Sequence, residues 1–216
     1  YEISACLVGS EMCIRDRRHT MRDHKRILYN GNNYSEEWIK EAESRGLAHL
    51  PTTVDAMHCF ISEKNISLFT RWGIYTEREM RSRYDISLEN YAKLIRIEAS
   101  TMLSMAQRSI FPAVIGYESK IAEAVSAKDR LGVPNDAEYA LLKGLSAGVN
   151  ALHKRIGGLF DAIAAMPKGN GEAAEYCRDK LLPAMGSLRE AADALETITA
   201  KEYWPFPGYE DLLFNL

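Results

Sequence analysis

Cysteine is scarce in this 216-residue chain. Cys6, Cys13, Cys59 and Cys177 lie far apart with no CxxC pair, which suggests neither a zinc knuckle nor a disulfide framework. No apolar run approaches the roughly 20 residues that span a bilayer, so no membrane partner is expected. Charge of one sign is not in excess: 27 Lys and Arg against 30 Asp and Glu leave a net charge of -3. That balance argues against a dedicated nucleic-acid binder, which carries a basic patch or a high pI. Signatures of catalysis are missing as well. There is no GxxxxGK[ST] loop, no GxGxxG after a strand, no HExxH and no GxSxG. What remains, 46% hydrophobic and 26% charged residues, fits one or two folded domains in a reducing, cytoplasmic setting.

Glycine and proline are thinnest between Thr76 and Gly132, where the first glycine is Gly116 and the one proline is Pro112. Thr76-Glu77-Arg78-Glu79 has capping-box spacing, and Leu131-Gly132-Val133-Pro134 is a stop signal. A helix over about 55 residues would be on the order of 80 Å long. Such a rod cannot bury its own apolar face, so other segments must pack along it. Asn135 and Glu138 repeat the capping-box spacing before a seam of Leu142, Leu145, Val149, Leu152, Ile156, Leu159, Ile163 and Met166. Alternating steps of three and four residues make this an a/d heptad pattern. After Pro167 and a Lys168-Gly169-Asn170-Gly171 loop, a third helix is predicted from Glu172 to about Tyr203. Its apolar side carries Ala174, Cys177, Leu181, Met185, Leu188, Ala192, Leu195 and Ile198. Short loops between long helices make antiparallel neighbours. The predicted fold is therefore all-α: a long kinked helix forming an antiparallel three-helix bundle with two further helices, plus small N-terminal helices.

Ile110-Phe111-Pro112-Ala113-Val114 and Leu181-Leu182-Pro183-Ala184-Met185 share one pattern. Each proline removes a backbone bond and bends its helix. Both fall about twenty residues before the expected helix ends, so two kinks at a similar height are predicted.

Four regions are expected. Residues 1–17 share no period with the rest of the chain and read as a non-native or disordered leader, resembling translated adapter sequence, with a frayed native tail as the alternative. No methionine opens the chain, which is expected to be a fragment. Residues 18–75 form a connector: a short strand at Ile27-Leu28-Tyr29, then helices starting at Ser35, at Thr52 or Thr53, and at Ser62, the first and last stopped by Gly46 and Gly73. Residues 76–203 form the bundle. The aromatic, proline-broken tail 204–216 is expected to dock back on the protein or on a neighbouring subunit.

Candidate chemistry is sparse. His24-Lys25-Arg26 reads as a solvated basic triplet, and His58-Cys59 as a packed pair, because adjacent helical residues diverge by roughly 100° and lack partners. His153 lies one residue beyond the seam, on the bundle flank. Glu89, Glu98 and Glu118 lack the Glu-x-x-His repeat of a di-metal bundle. Arg78, Arg81 and Arg83 with Glu77, Glu79 and Asp85 read as a solvated, paired surface. No catalytic, cofactor-binding or metal residue is assigned.

Several segments resemble a known family in order. His24 to Trp38, Glu41 to Leu47, Thr52 to Ala56, Ser82 to Ile86, Ile97-Glu98-Ala99, Ile110 to Ala113, Tyr176-Cys177-Arg178-Asp179, Leu182 to Met185 and Trp204 to Tyr209 are similar to the region that follows the catalytic core of type III glutamine synthetases. The resemblance implies a parent enzyme that joins ammonia to glutamate with ATP and Mg or Mn, as a large homo-oligomer. It places the metal ligands and ATP-binding residues upstream, in a missing catalytic domain. This fragment alone is expected to hold no cofactor and to be inactive. The alternative reading is a free-standing helical module that binds a partner protein.

Overall fold

Start and stop residues divide this chain into helices largely where local chemistry places them. The computed structural model describes residues 2–25 and 28–214, with side chains described from residue 13 onward. Two compact units divide between Pro51 and Thr52.

In the first unit, α1 (Glu2–Asp23) runs through the stretch expected as a leader. Its described side chains are exposed. The expected strand does not form: Leu28, Tyr29 and Asn30 have no regular structure, and Ile27 lies outside the described residues. Tyr29 instead stacks on Trp38 at 4.4 Å between centroids. An aromatic contact with the following helix thus takes the place of backbone pairing. That helix, α2 (Glu36–Ser44), begins where the Ser35 side chain accepts from the Trp38 amide, and is followed by Gly46 at φ 75°.

The second unit opens with α3 (Thr53–Phe60), capped by Thr52, and α4 (Glu63–Arg71), followed by Gly73 at φ 63°. Next comes α5 (Glu77–Met105), whose capping box is complete: Thr76 Oγ1 accepts from the Glu79 amide while Glu79 accepts from the Thr76 amide. The helix passes through a π turn, Ala106–Ile110, into α6 (Phe111–Leu131). After Gly132, in the left-handed cap, follow α7 (Asp136–Ala164), α8 (Asn170–Tyr176), a second π turn at Cys177–Leu181, α9 (Leu182–Glu196) and α10 (Tyr209–Leu213). The described residues form no strand.

Contacts set the directions. Lys128 pairs with Glu138, and Phe111 meets His153 with ring centroids 5.6 Å apart, so α6 and α7 are antiparallel. Tyr176 Oη donates to the Ala162 carbonyl at 3.0 Å, and Leu195 lies against Gly148, so α7 and α8–α9 are antiparallel too. Leu145, Leu152 and Leu159, one heptad apart, are fully buried with Leu181, Leu188 and Leu195. On α5, Ala92, Ala99 and Ala106 keep the same seven-residue spacing in that core.

Three expectations need correction. The Asn135–Glu138 capping box is not made: Asn135 Nδ2 donates to the Val125 carbonyl and to Asp129 Oδ1, tying the loop to the end of α6, while Glu138 pairs with Lys128. The third helix stops at Glu196 rather than near Tyr203. There the hydroxyls of Thr197 and Thr199 take the carbonyls of Ala194 and Leu195, a local bond that competes with helix continuation. Finally, the prolines are not level. Each follows a π turn that absorbs its missing donor: the Phe111 amide reaches back to the Ala106 carbonyl, and the Leu182 amide to that of Cys177. Yet the Cys177 thiol faces the Ala92 carbonyl at 3.9 Å, whereas Ala106 and Ile110 share a groove with Met185, Leu188 and Ala192. The two turns are offset by roughly 20 Å along the axis. Counting back from Tyr203 misplaced the second by part of that distance.

Candidate functional site

The densest polar cluster grows from two local features that the fold brings together. Thr52 ends an extended segment, so its hydroxyl caps α3: Oγ1 accepts from the Asp55 amide at 3.2 Å and donates to Asp55 Oδ2 at 2.5 Å. Across 123 residues of sequence, the second π turn presents Arg178. Its Nη1 donates to Asp55 Oδ1 at 2.7 Å, and its Nε and Nη2 donate to the two oxygens of Asp179 at 2.6 and 2.9 Å. The guanidinium is thereby shared by two carboxylates, with all three fork positions used.

The electrostatics follow from those bonds. The Thr52 hydroxyl, then the Arg178 charge, holds the Asp55 carboxyl below the ordinary carboxylate value. Arg178 does the same for Asp179, and the hydrogen bond to Asp179 pushes the guanidinium up. Beneath this clamp, Val54, Leu88 and Ala174 bury one another, with Met57, Tyr84 and Tyr91 half-buried around them. Burial first, and neighbouring acids second, raises the Tyr84 phenol; for Tyr91 burial is again the main cause. The clamp holds α3 on the seam of α5 and α8. Cys177, next in sequence to Arg178, is fully buried and its thiol is raised by burial, which keeps it unreactive.

The residues singled out in the sequence do not converge on this cluster. His24 and Lys25 are exposed, and Arg26 lies outside the described residues. His58 and Cys59 are not a packed pair: both side chains are exposed. His58 Nδ1 does meet Tyr84 Oη at 3.2 Å. Glu89 pairs with Lys93 at 2.5 Å, Arg81 with Glu77 at 2.7 Å, and Arg83 lies 4.6 Å over the Tyr75 ring. Among the described residues no group of three or more His, Cys, Asp and Glu is placed to hold a metal ion. Asp55 and Arg178 lie inside two of the family-like segments, but nothing in their spacing reveals that they meet.

Two concave regions flank α5. One groove of about 560 Å³ is apolar, lined by Met102, Ile110, Met185, Leu188, Trp204 and Phe206. Another, of about 600 Å³, lies between α5, the end of α7 and the start of α8, and is lined in part by Lys93, Arg96, Phe160 and Lys168. Along the outer side of α5, Ile86, Leu94, Ile97 and Met105 are exposed, Ile97 by 63%.

Comparison with known proteins gives a consistent result. The family model described as the glutamine synthetase C-terminal domain matches residues 15–129. A glutamine synthetase of Butyrivibrio fibrisolvens is 36% identical over 206 residues, covering 92% of this chain and 29% of the relative. A type-3 glutamine synthetase of Dictyostelium discoideum is 33% identical, covering 91% and 28%. A glutamine synthetase of Bacteroides fragilis (strain YCH46) is 26% identical, covering 88% and 27%. The chain therefore spans under a third of the length of the curated relatives it matches.

Proposed function

Because the chain belongs to the glutamine synthetase C-terminal domain family, we propose that it serves as the C-terminal helical part of a type III glutamine synthetase, with a structural, assembly or regulatory role. The parent enzyme in this reading ligates ammonia to glutamate with ATP and Mg or Mn in the cytoplasm, as a homo-oligomer. Its metal ligands and nucleotide-binding residues belong to a catalytic domain upstream. This chain contributes none of them and is inactive alone. Within it, residues 18–75 connect to the catalytic region, 76–203 form the packing body, and 204–216 fasten the end, while 1–17 take no part.

The observation that carries the reading is the 36% and 33% identity over 206 residues to glutamine synthetases more than three times as long. One structural feature supports it: α5 keeps bulky apolar side chains facing out, a surface that a neighbouring domain would cover. The decisive test reads the source DNA upstream of Arg18. Continuous synthetase catalytic motifs there support the proposal, whereas a nearby start codon with no such motifs overturns it in favour of a free-standing interaction module. A glutamine-forming assay on the purified chain checks the second part: no product is expected, and turnover by this chain would refute the absence of catalytic residues.

A further inference from the structure

We propose that the cleft between α5, the end of α7 and the start of α8 binds a small organic anion, a carboxylate or phosphate ester carried on a flat apolar body. The cleft encloses about 600 Å³, within the range of small-molecule sites. Its lining is divided by chemistry. Lys93 and Arg96 from α5 and Lys168 from the loop before α8 provide positive charge, while Phe160 and Ile163 from the end of α7 and Met166 just after it provide an apolar side. Glu89 is the one acid in the lining, and it is already engaged by Lys93 at 2.5 Å. Arg96 and Lys168 make no ion pair or hydrogen bond through their side chains to any described residue.

Both cations are exposed side chains that border the same concavity. Phe160 is 56% exposed although it borders this cleft. An aromatic face beside unpaired guanidinium and ammonium groups suits a ligand that neutralises the cations and stacks on the ring. A metal ion is disfavoured by the sign of the charge, and the apolar side gives a bare inorganic anion no contact. The inference concerns residues of this chain only and stands independently of the synthetase reading.

The test is isothermal titration of the 216-residue chain with four probes at millimolar concentration: phenyl phosphate, phenylacetate, inorganic phosphate and benzyl alcohol. Saturable binding of phenyl phosphate or phenylacetate is expected, with inorganic phosphate about tenfold weaker and benzyl alcohol unbound. The tighter of the two aromatic anions identifies the head group as phosphate ester or carboxylate. Arg96→Gln and Lys168→Gln should each weaken binding about tenfold. Phe160→Ala should remove the preference for phenyl phosphate over inorganic phosphate, and Arg189→Gln, outside the cleft, should change nothing. Arg96, Phe160 and Lys168 are all exposed, so thermal melts of these variants should match the parent chain. Failure of both aromatic anions to bind, equal binding of benzyl alcohol, or binding that survives Arg96→Gln and Lys168→Gln together would overturn the proposal.

Discussion

Glycine-to-alanine substitutions along α7 should change stability with opposite signs at positions that look alike in sequence. An added methyl on Gly148 would sit 2.5 Å from Leu195 Cδ2 and 3.1 Å from its Cγ, whereas nothing lies within 4 Å of the same methyl on Gly157 or Gly158. Leu195 is fully buried in the core, so its methyl has no open space to swing into. In a helix interior, alanine exceeds glycine by about 1 kcal/mol, partly through a less disordered unfolded chain. Gly157→Ala and Gly158→Ala should therefore stabilise by about 0.5–1 kcal/mol each. At Gly148 the same gain is opposed by overpacking of about 1–3 kcal/mol, so the net change should be a loss of about 1 kcal/mol. Urea unfolding reads both, as shifts in midpoint at constant slope. A second cycle isolates the cause: in a Leu195→Ala background, Gly148→Ala should become stabilising, a coupling of about 2 kcal/mol. If Gly148→Ala stabilises the parent chain as Gly157→Ala does, the close packing of α7 on α9 is wrong.

The remaining predictions concern the clamp, a cap and the thiols. The Asp55 and Asp179 carboxyls are lowered in the folded chain, so their stabilisation is complete above the unfolded value near 4 and is lost as pH falls through the folded values. Hydrogen-exchange protection factors of α3 should drop below about pH 4. Asp55→Asn should lower them at pH 6 and flatten the acid dependence; an acid-insensitive α3 in the parent chain would refute the clamp. Thr76→Ala should cost about 1 kcal/mol by removing the hydroxyl that accepts from the Glu79 amide, while the backbone amide at 76 keeps its bond to Glu79; thermal unfolding reads the loss. With a thiol reagent under native conditions, Cys13 and Cys59 should react promptly, and Cys177, fully buried, only at the rate of unfolding. Mass mapping of labelled peptides distinguishes the sites.

Helix starts and stops were readable because their causes are local. Ser35, Thr52 and Thr76 make their cap bonds, and Gly46, Gly73 and Gly132 take positive φ, at positions marked by sequence alone. The heptad seam of α7 was legible for the same reason, since burial follows its seven-residue spacing. Long-range pairing was not. Nothing at Asn135 signals that its amide will be drawn to Val125 and Asp129 instead of its own helix. Likewise, Asp55 and Arg178 read as two unrelated charged residues until packing joins them. The π turns lie between: prolines at matching positions announce a disturbed ladder, but not whether the chain bends or takes in an extra residue.

The outer face of α5 is more apolar than an ordinary amphipathic helix requires. Its inward positions include Ala92, Ala99 and Ala106, all nearly or fully buried, while the bulkier Ile86, Leu94, Ile97 and Met105 face out. Small residues at a heptad spacing let α7 and α8 approach closely, so burial there comes from backbone proximity rather than from side-chain volume. A side chain such as Ile97 contributes little to the fold in this state, because apolar area stabilises only when removed from water. Apolar bulk retained on the outside is thus unexplained by the stability of the chain itself, and the proposed upstream domain would give it a contact. The basic cleft beside it belongs to the same side of α5, through Lys93 and Arg96. The inward alanines let this helix pack closely, whereas its outward isoleucines contribute little to that packing.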